Sequence, residues 1–209
     1  MKIKICGIKT FKAACHVALE KADFLGLVFV KGVRREITLD KGTAIVDSLK
    51  SSFENPPSVV GLFQNQSPSL IDLIVKKSRL DWVQLCGERD DSGSLSVPTI
   101  RQIRVKPEYS IHQIQDKVFD ALNVHSMVIL DSYDEEKPGG TGKVFDWNKI
   151  LRLESFKNVL IAGGLNSNNV SAMISKVKPW GVDVSSGVET DGEKDLGKIS
   201  NFITNVRNR

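Results

Sequence analysis

Two residues with usable chemistry sit at the ends of apolar runs. Cys6 closes KIKIC and Asp131 closes MVILD. A thiolate is a competent base toward a carbon-bound proton, and a carboxylic acid can protonate a departing oxygen. Each needs tuning. The thiol reference pKa of ~8.5 must fall or be offset, and the carboxyl reference of ~3.9 must rise. Taken alone, Cys6 reads more readily as a small buried core residue and Asp131 as a helix or turn cap. A second feature lies between Val159 and Glu189. Two short apolar runs each end in a glycine turn, AGGL and SSGVE, and each turn leads toward a helix start. Glycine lets backbone N–H groups approach a ligand, and a helix N-terminus adds bare donors and partial positive charge. Together they suit a phosphate.

Arg35, in the loop after the second apolar run, offers a guanidinium able to pair bidentately with a carboxylate; the competing reading is a solvated loop charge. Asp183 is either a polar ligand contact or a satisfied core carboxylate. GGTGK at Gly139–Lys143 is not a P-loop, because Lys137 stands at the first glycine position and Val144 follows the lysine. It reads as a closing active-site loop within Ser132–Val144. His16, His112 and His125 share no metal-ligand spacing with a cysteine, and no GxSxG elbow marks a hydrolase.

The elements that must position these groups alternate from end to end. Strands are expected at Lys2–Cys6, Phe24–Val30, Ser58–Phe63, Trp82–Leu85, Thr99–Val105, Ser126–Asp131, Asn158–Ile161 and Gly181–Val184. Helices are expected at Phe11–Ala22, Leu39–Phe53, Pro68–Ser78, Asp90–Ser96, Ile111–Leu122, Asp146–Leu153, Ser167–Lys178 and Asp195–Arg207. The apolar runs are β-branched and nearly continuous, as in strands buried on both faces. Eight β–α units at ~26 residues each give an α/β fold, a (β/α)8 TIM barrel with one parallel eight-stranded barrel domain over 1–209. A doubly wound open sheet is the competitor. It would carry its glycine fingerprint after the first strand, where this chain has Cys6-Gly7.

Bulk properties narrow the partners. The chain has 209 residues, 41% hydrophobic and 26% charged, with a net charge of +4. That is ordinary for a soluble globular protein. Lysine and arginine are scattered, with no basic stripe interleaved with aromatics, so an anionic small molecule fits better than nucleic acid. Three cysteines without CxxC spacing suggest reduced thiols and a cytoplasmic setting. Met1–Ile5 is too short and charged for a signal sequence, and no apolar run nears the ~20 residues needed to span a membrane.

Five blocks now spell a family: KICGIK (Lys4–Lys9), VQLCGE (Val83–Glu88), ILDS followed by GGTGKVFDW (Ile129–Trp147), IAGGLNSNNV (Ile161–Val170) and VDVSSGVE with GEKD (Val182–Asp195). In this order they resemble the phosphoribosylanthranilate isomerase family of tryptophan biosynthesis. The resemblance implies a (β/α)8 barrel that converts N-(5-phosphoribosyl)anthranilate to the deoxyribulose phosphate by Amadori rearrangement, with no cofactor; the histidine and cysteine spacing gives no reason to expect a metal. The resemblance also implies that Cys6 is the general base, Asp131 the general acid, and Arg35 in VRREIT the holder of the anthranilate carboxylate. Gly163 and Gly164, with Ser186 and Gly187, would bind phosphate, and Asp183 would contact the ribose. The chain departs where Cys86 replaces the histidine of the family's QLHG, and at Val33, where a small polar residue is common. Two rivals remain: another phosphosugar isomerase or epimerase on the same fold, or a catalytically silent barrel that binds a phosphorylated ligand. The partners expected are a phosphorylated small-molecule substrate, no nucleic acid and no membrane, with the protein a monomer or homodimer.

Overall fold

In a computed structural model, residues 1–87, 92–132, 146–151 and 156–208 are described. Eight parallel strands close into a barrel in chain order: β1 (Lys2–Cys6), β2 (Phe24–Val28), β3 (Ser58–Phe63), β4 (Trp82–Leu85), β5 (Thr99–Val105), β6 (Met127–Ser132), β7 (Val159–Ile161) and β8 (Gly181–Val184). β1 closes on β8, with Lys4 opposite Asp183 and Ile5 opposite Val184.

Alternation along each strand makes two cores. Side chains such as Ile3, Ile5, Leu25, Leu27, Val59 and Val128 point outward into the layer under the helices. Phe24, Val28, Val60, Leu62, Ile100, Met127, Ile129 and Leu160 point inward and fill the barrel. Phe24 meets Trp82 edge-on at 6.0 Å in that inner cluster. The polar residues on inward positions therefore share one confined space.

All but the fifth of the long helices start at a capping side chain. The helices are α1 (Phe11–Leu19), α2 (Leu39–Ser52), α3 (Pro68–Ser78), α4 (Ile111–Leu122), α5 (Val170–Val177) and α6 (Leu196–Arg207). Thr10, Thr38, Ser67, Ser110 and Asp195 each accept a first-turn backbone N–H. Pro68 sits at the start of α3, where its missing N–H costs nothing.

Three expected helices differ. Of Asp90–Ser96, residues 90 and 91 lie outside the described residues, and Ser92–Ser94 forms only a 3-10 turn. Serine and glycine there hold a helix poorly. Of Asp146–Leu153, residues 152 and 153 lie outside the described residues, and Trp147–Ile150 is a 3-10 turn. α5 begins at Val170, not Ser167. Asn166 and Asn169 side chains instead bond the backbone N–H groups of Asn168 and Asn166, building a turn ahead of the helix. A further feature, absent from the expectations, is a hairpin of β9 (Glu189–Thr190) and β10 (Glu193–Lys194). Asp191 and Gly192 turn it with φ of 50° and 84°, the Asp-Gly signature of a tight hairpin.

Candidate active site

Inward positions near the C-terminal ends of the strands carry the polar groups. Cys6 from β1, Gln84 from β4, Gln102 and Arg104 from β5, Asp131 from β6 and Asp183 from β8 line one cavity of about 530 Å³, with Arg34, Arg35 and Cys86 at its wall. Cys6 and Asp131, 125 positions apart in sequence, thus face the same space. In a barrel of this type the C-terminal mouth is where chemistry sits.

Asp131 is braced from both sides. Gln102 Nε2 donates to Oδ2 at 2.7 Å, and the Ser132 N–H donates to Oδ1 at 2.9 Å. Burial, reinforced by the negative charge of Asp183, pushes its pKa up to about 6; the Ser132 N–H, Gln102 and Arg104 limit the rise. A carboxyl with that value is available as an acid near neutrality. Cys6 is 5% exposed. Burial raises its pKa, while Lys4, Lys194 and Arg35 pull it down and Asp183 pushes it up. The net direction is upward, so the fall considered from sequence does not occur, and the resting group is the neutral thiol. Cys86 ends just past β4, where Gln84 Nε2 approaches its sulfur at 3.5 Å. Burial, then the neighbouring Cys6, pushes its pKa to about 12, so it too is a neutral thiol.

Arg35 is held by the hairpin. Its Nε and Nη2 donate to Glu189 Oε1 and Oε2 at 2.7 and 2.9 Å. Arg34 and Lys194 bond the same carboxylate. Partial burial pushes the Glu189 pKa up, yet Arg35 and Lys194 hold it at about 2. One carboxylate facing three cations leaves net positive charge at this rim, which suits an anion.

A smaller adjoining cavity is lined by Asp131, Ser132, Gly163, Gly164, Asp183, Ser185 and Ser186. Gly163 has φ of 86° and its backbone lies against Ser132; a Cβ there would come within 2.7 Å of the Ser132 nitrogen. Gly187 does not line this cavity. It packs so closely on the Leu165 carbonyl oxygen that a Cβ would collide with it, which brings the two glycine turns together. Asp183 is not a free ligand contact, since its Oδ1 accepts from Lys4 Nζ at 2.9 Å. It still lines both cavities.

His16 bonds Ser200 and the Leu196 carbonyl, and His125 bonds Thr99. Among the described residues no cluster of three or more His, Cys, Asp or Glu could hold a metal. The GGTGK segment lies outside the described residues. Among the described residues, no helix is long and apolar enough to cross a membrane.

Sequence reading missed Lys4, Gln102, Glu189 and Lys194. Period-two counting could have found the first two, since Lys4 shares a face with Cys6, and Gln102 sits one strand from Asp131. Nothing local pairs Glu189 with Arg35, which lies 154 residues away.

Residues 3–205 match the family model described as N-(5′-phosphoribosyl)anthranilate (PRA) isomerase. An N-(5′-phosphoribosyl)anthranilate isomerase from Dehalococcoides mccartyi is 39% identical, the match covering 99% of this chain and 96% of the relative. The crystal structure of phosphoribosyl anthranilate isomerase from Thermotoga maritima superposes with a TM-score of 0.85 at 29% identity, covering 100% of both chains. A structure of such an isomerase with reduced 1-(o-carboxyphenylamino)-1-deoxyribulose 5-phosphate superposes with a TM-score of 0.82 at 28% identity, again over 100% of both chains.

Proposed function

The chain belongs to the N-(5′-phosphoribosyl)anthranilate isomerase family, and on that premise we propose that it performs its isomerisation in tryptophan biosynthesis as an Amadori rearrangement, with Asp131 as acid and Cys6 as base. Asp131 protonates the furanose ring oxygen. The ring opens as the anilino nitrogen lone pair forms a protonated Schiff base at C1. Cys6 removes the proton from C2, and the enolamine tautomerises to the ketose. The observation that carries this reading is the cavity shared by the two groups, bordered by the glycine turns. Acid–base groups of this kind contribute ~10² to 10⁴-fold each.

Backbone N–H groups around Gly163, Gly164 and Ser186 receive the phosphate, with Gly187 holding the second turn against the first. Arg35, braced by Glu189, receives the anthranilate carboxylate. Asp183 borders the ribose while paired with Lys4. Gripping both remote anions fixes the sugar between sulfur and carboxyl. The reading needs no cofactor, no nucleic acid and no membrane. It places residues 1–209 as one barrel domain, acting as a monomer or homodimer in the cytoplasm.

Purified protein should turn over N-(5-phosphoribosyl)anthranilate. Cys6→Ser and Asp131→Asn should each lower kcat steeply while the product analogue still binds. Near-wild-type turnover by either variant removes that residue from the mechanism. Binding without turnover by the unaltered chain would indicate a silent barrel, with Cys86 the first residue to restore to histidine.

A further inference from the structure

Lys4 has no task in this chemistry, yet its position is costly. It is 0% exposed, and an ammonium loses its hydration there. Its Nζ donates to Asp183 Oδ1 at 2.9 Å, across strands that pair Lys4 opposite Asp183. Such buried pairs are commonly no more stabilising than apolar residues of equal volume. The fold alone therefore does not account for it.

Its placement does. Lys4 and Cys6 are alternate residues of β1 and point to the same interior, about 7 Å apart along the strand. Asp183, at the other end of the pair, lines both cavities that Asp131 lines. The ion pair thus puts its ammonium on the strand of the sulfur and its carboxylate in the cavities of the carboxyl. Its two charges act in opposite senses: Lys4 favours the Cys6 thiolate, whereas Asp183 opposes that thiolate and favours the protonated form of Asp131.

We propose that Lys4 and Asp183 are positioning residues that set the protonation states at the two ends of the reaction. The ammonium stabilises the Cys6 thiolate when it forms, and the carboxylate biases Asp131 toward its acid form. This rests on the assignment of Cys6 as base and Asp131 as acid. Other groups act on the same centres: Lys194 and Arg35 from the loops after β8 and β2, and Cys86 after β4, act on Cys6 or respond to it, while Arg104, Gln102 and the Ser132 N–H act on Asp131. They are left in place in the variants below, so they do not confuse the comparison.

The test reads the thiol without substrate. Cys6 alkylation by iodoacetamide is followed against pH, with its peptide quantified by mass spectrometry separately from Cys15 and Cys86. A unit charge about 7 Å away, at an effective dielectric near 20, moves a pKa by about 2 units. Lys4→Met should therefore raise the Cys6 midpoint by about 2 pH units, and Lys4→Arg should largely preserve it. Asp183→Asn should lower it. The alkaline limb of kcat/KM should follow the same shifts, which a merely structural role would not produce. Should Lys4→Met fail to fold, the difference between D183N and K4M/D183N reads the same charge with no unpaired carboxylate. An unmoved midpoint in both comparisons overturns the proposal. Failure of the base assignment itself would look different: Cys6→Ser would retain turnover, whatever the alkylation midpoints do.

Discussion

Replacing Asp131 by asparagine should change the shape of the pH–rate profile as well as its height. The productive free enzyme needs Cys6 as thiolate and Asp131 as acid. Asp131 titrates near 6, and Cys6 titrates above the ordinary thiol value of about 9. The productive form is therefore the minor one of two singly protonated species, at most about one molecule in 10³. Between the two pKa values, each gain in thiolate as pH rises is matched by a loss of acid. The kcat/KM profile should then rise to about pH 6, stay level until Cys6 itself titrates and fall beyond. Asparagine keeps the side-chain shape but has no proton to give or lose. In Asp131→Asn the rate should sit ~10² to 10⁴-fold lower near neutrality. It should also climb tenfold per pH unit, about 30-fold between pH 7.5 and 9, following the thiolate alone. Initial rates at low substrate across about pH 5 to 10 would show this. A variant profile that remains level between 6 and 9 refutes both the assignment of Asp131 as the group titrating at 6 and the minority-form mechanism.

The same carboxyl carries a stability signature. Its folded pKa lies above its unfolded value, so binding a proton favours the fold, and stability is lost as pH rises from about 4 through 6. Asp131→Asn should thus be more stable than wild type at pH 8, by up to about 3 kcal/mol, with the gap vanishing near pH 4; thermal melts at the two pH values measure it. Arg35→Ala should mainly raise KM, and an unchanged KM refutes the clamp. Glu189→Gln should raise KM in the same direction with a smaller fall in kcat, because the guanidinium survives but loses its bidentate hold. Gly187→Ala should lower Tm and weaken binding of the phosphate end, at a cost on the order of 3 kcal/mol, since a Cβ would strike the Leu165 carbonyl. Gly197→Ala, where a Cβ meets Asp195 Oδ1 only at ordinary contact distance, is the control and should hold or raise Tm.

Local chemistry made much of the molecule legible from the chain alone. The β-branched runs and the count of eight units follow from steric preference and hydrogen bonding within a few residues. So does the placement of Cys6 and Asp131 at strand ends. The weak segments failed for equally local reasons: Ser92–Ser94 lacks helix-forming residues, and the asparagines before α5 hold their own turn.

What tertiary structure alone decided was partnership. Closing β1 on β8 sets Lys4 against Asp183, and the hairpin after β8 sets Glu189 against Arg35. The pKa values follow from the same closure. A carboxyl that titrates near 4 in a free chain titrates near 6 when the barrel strips its water and places a second carboxylate nearby. Desolvation and charge proximity are sums over whatever the fold brings within a few ångströms, and residues distant along the chain supply most of that sum.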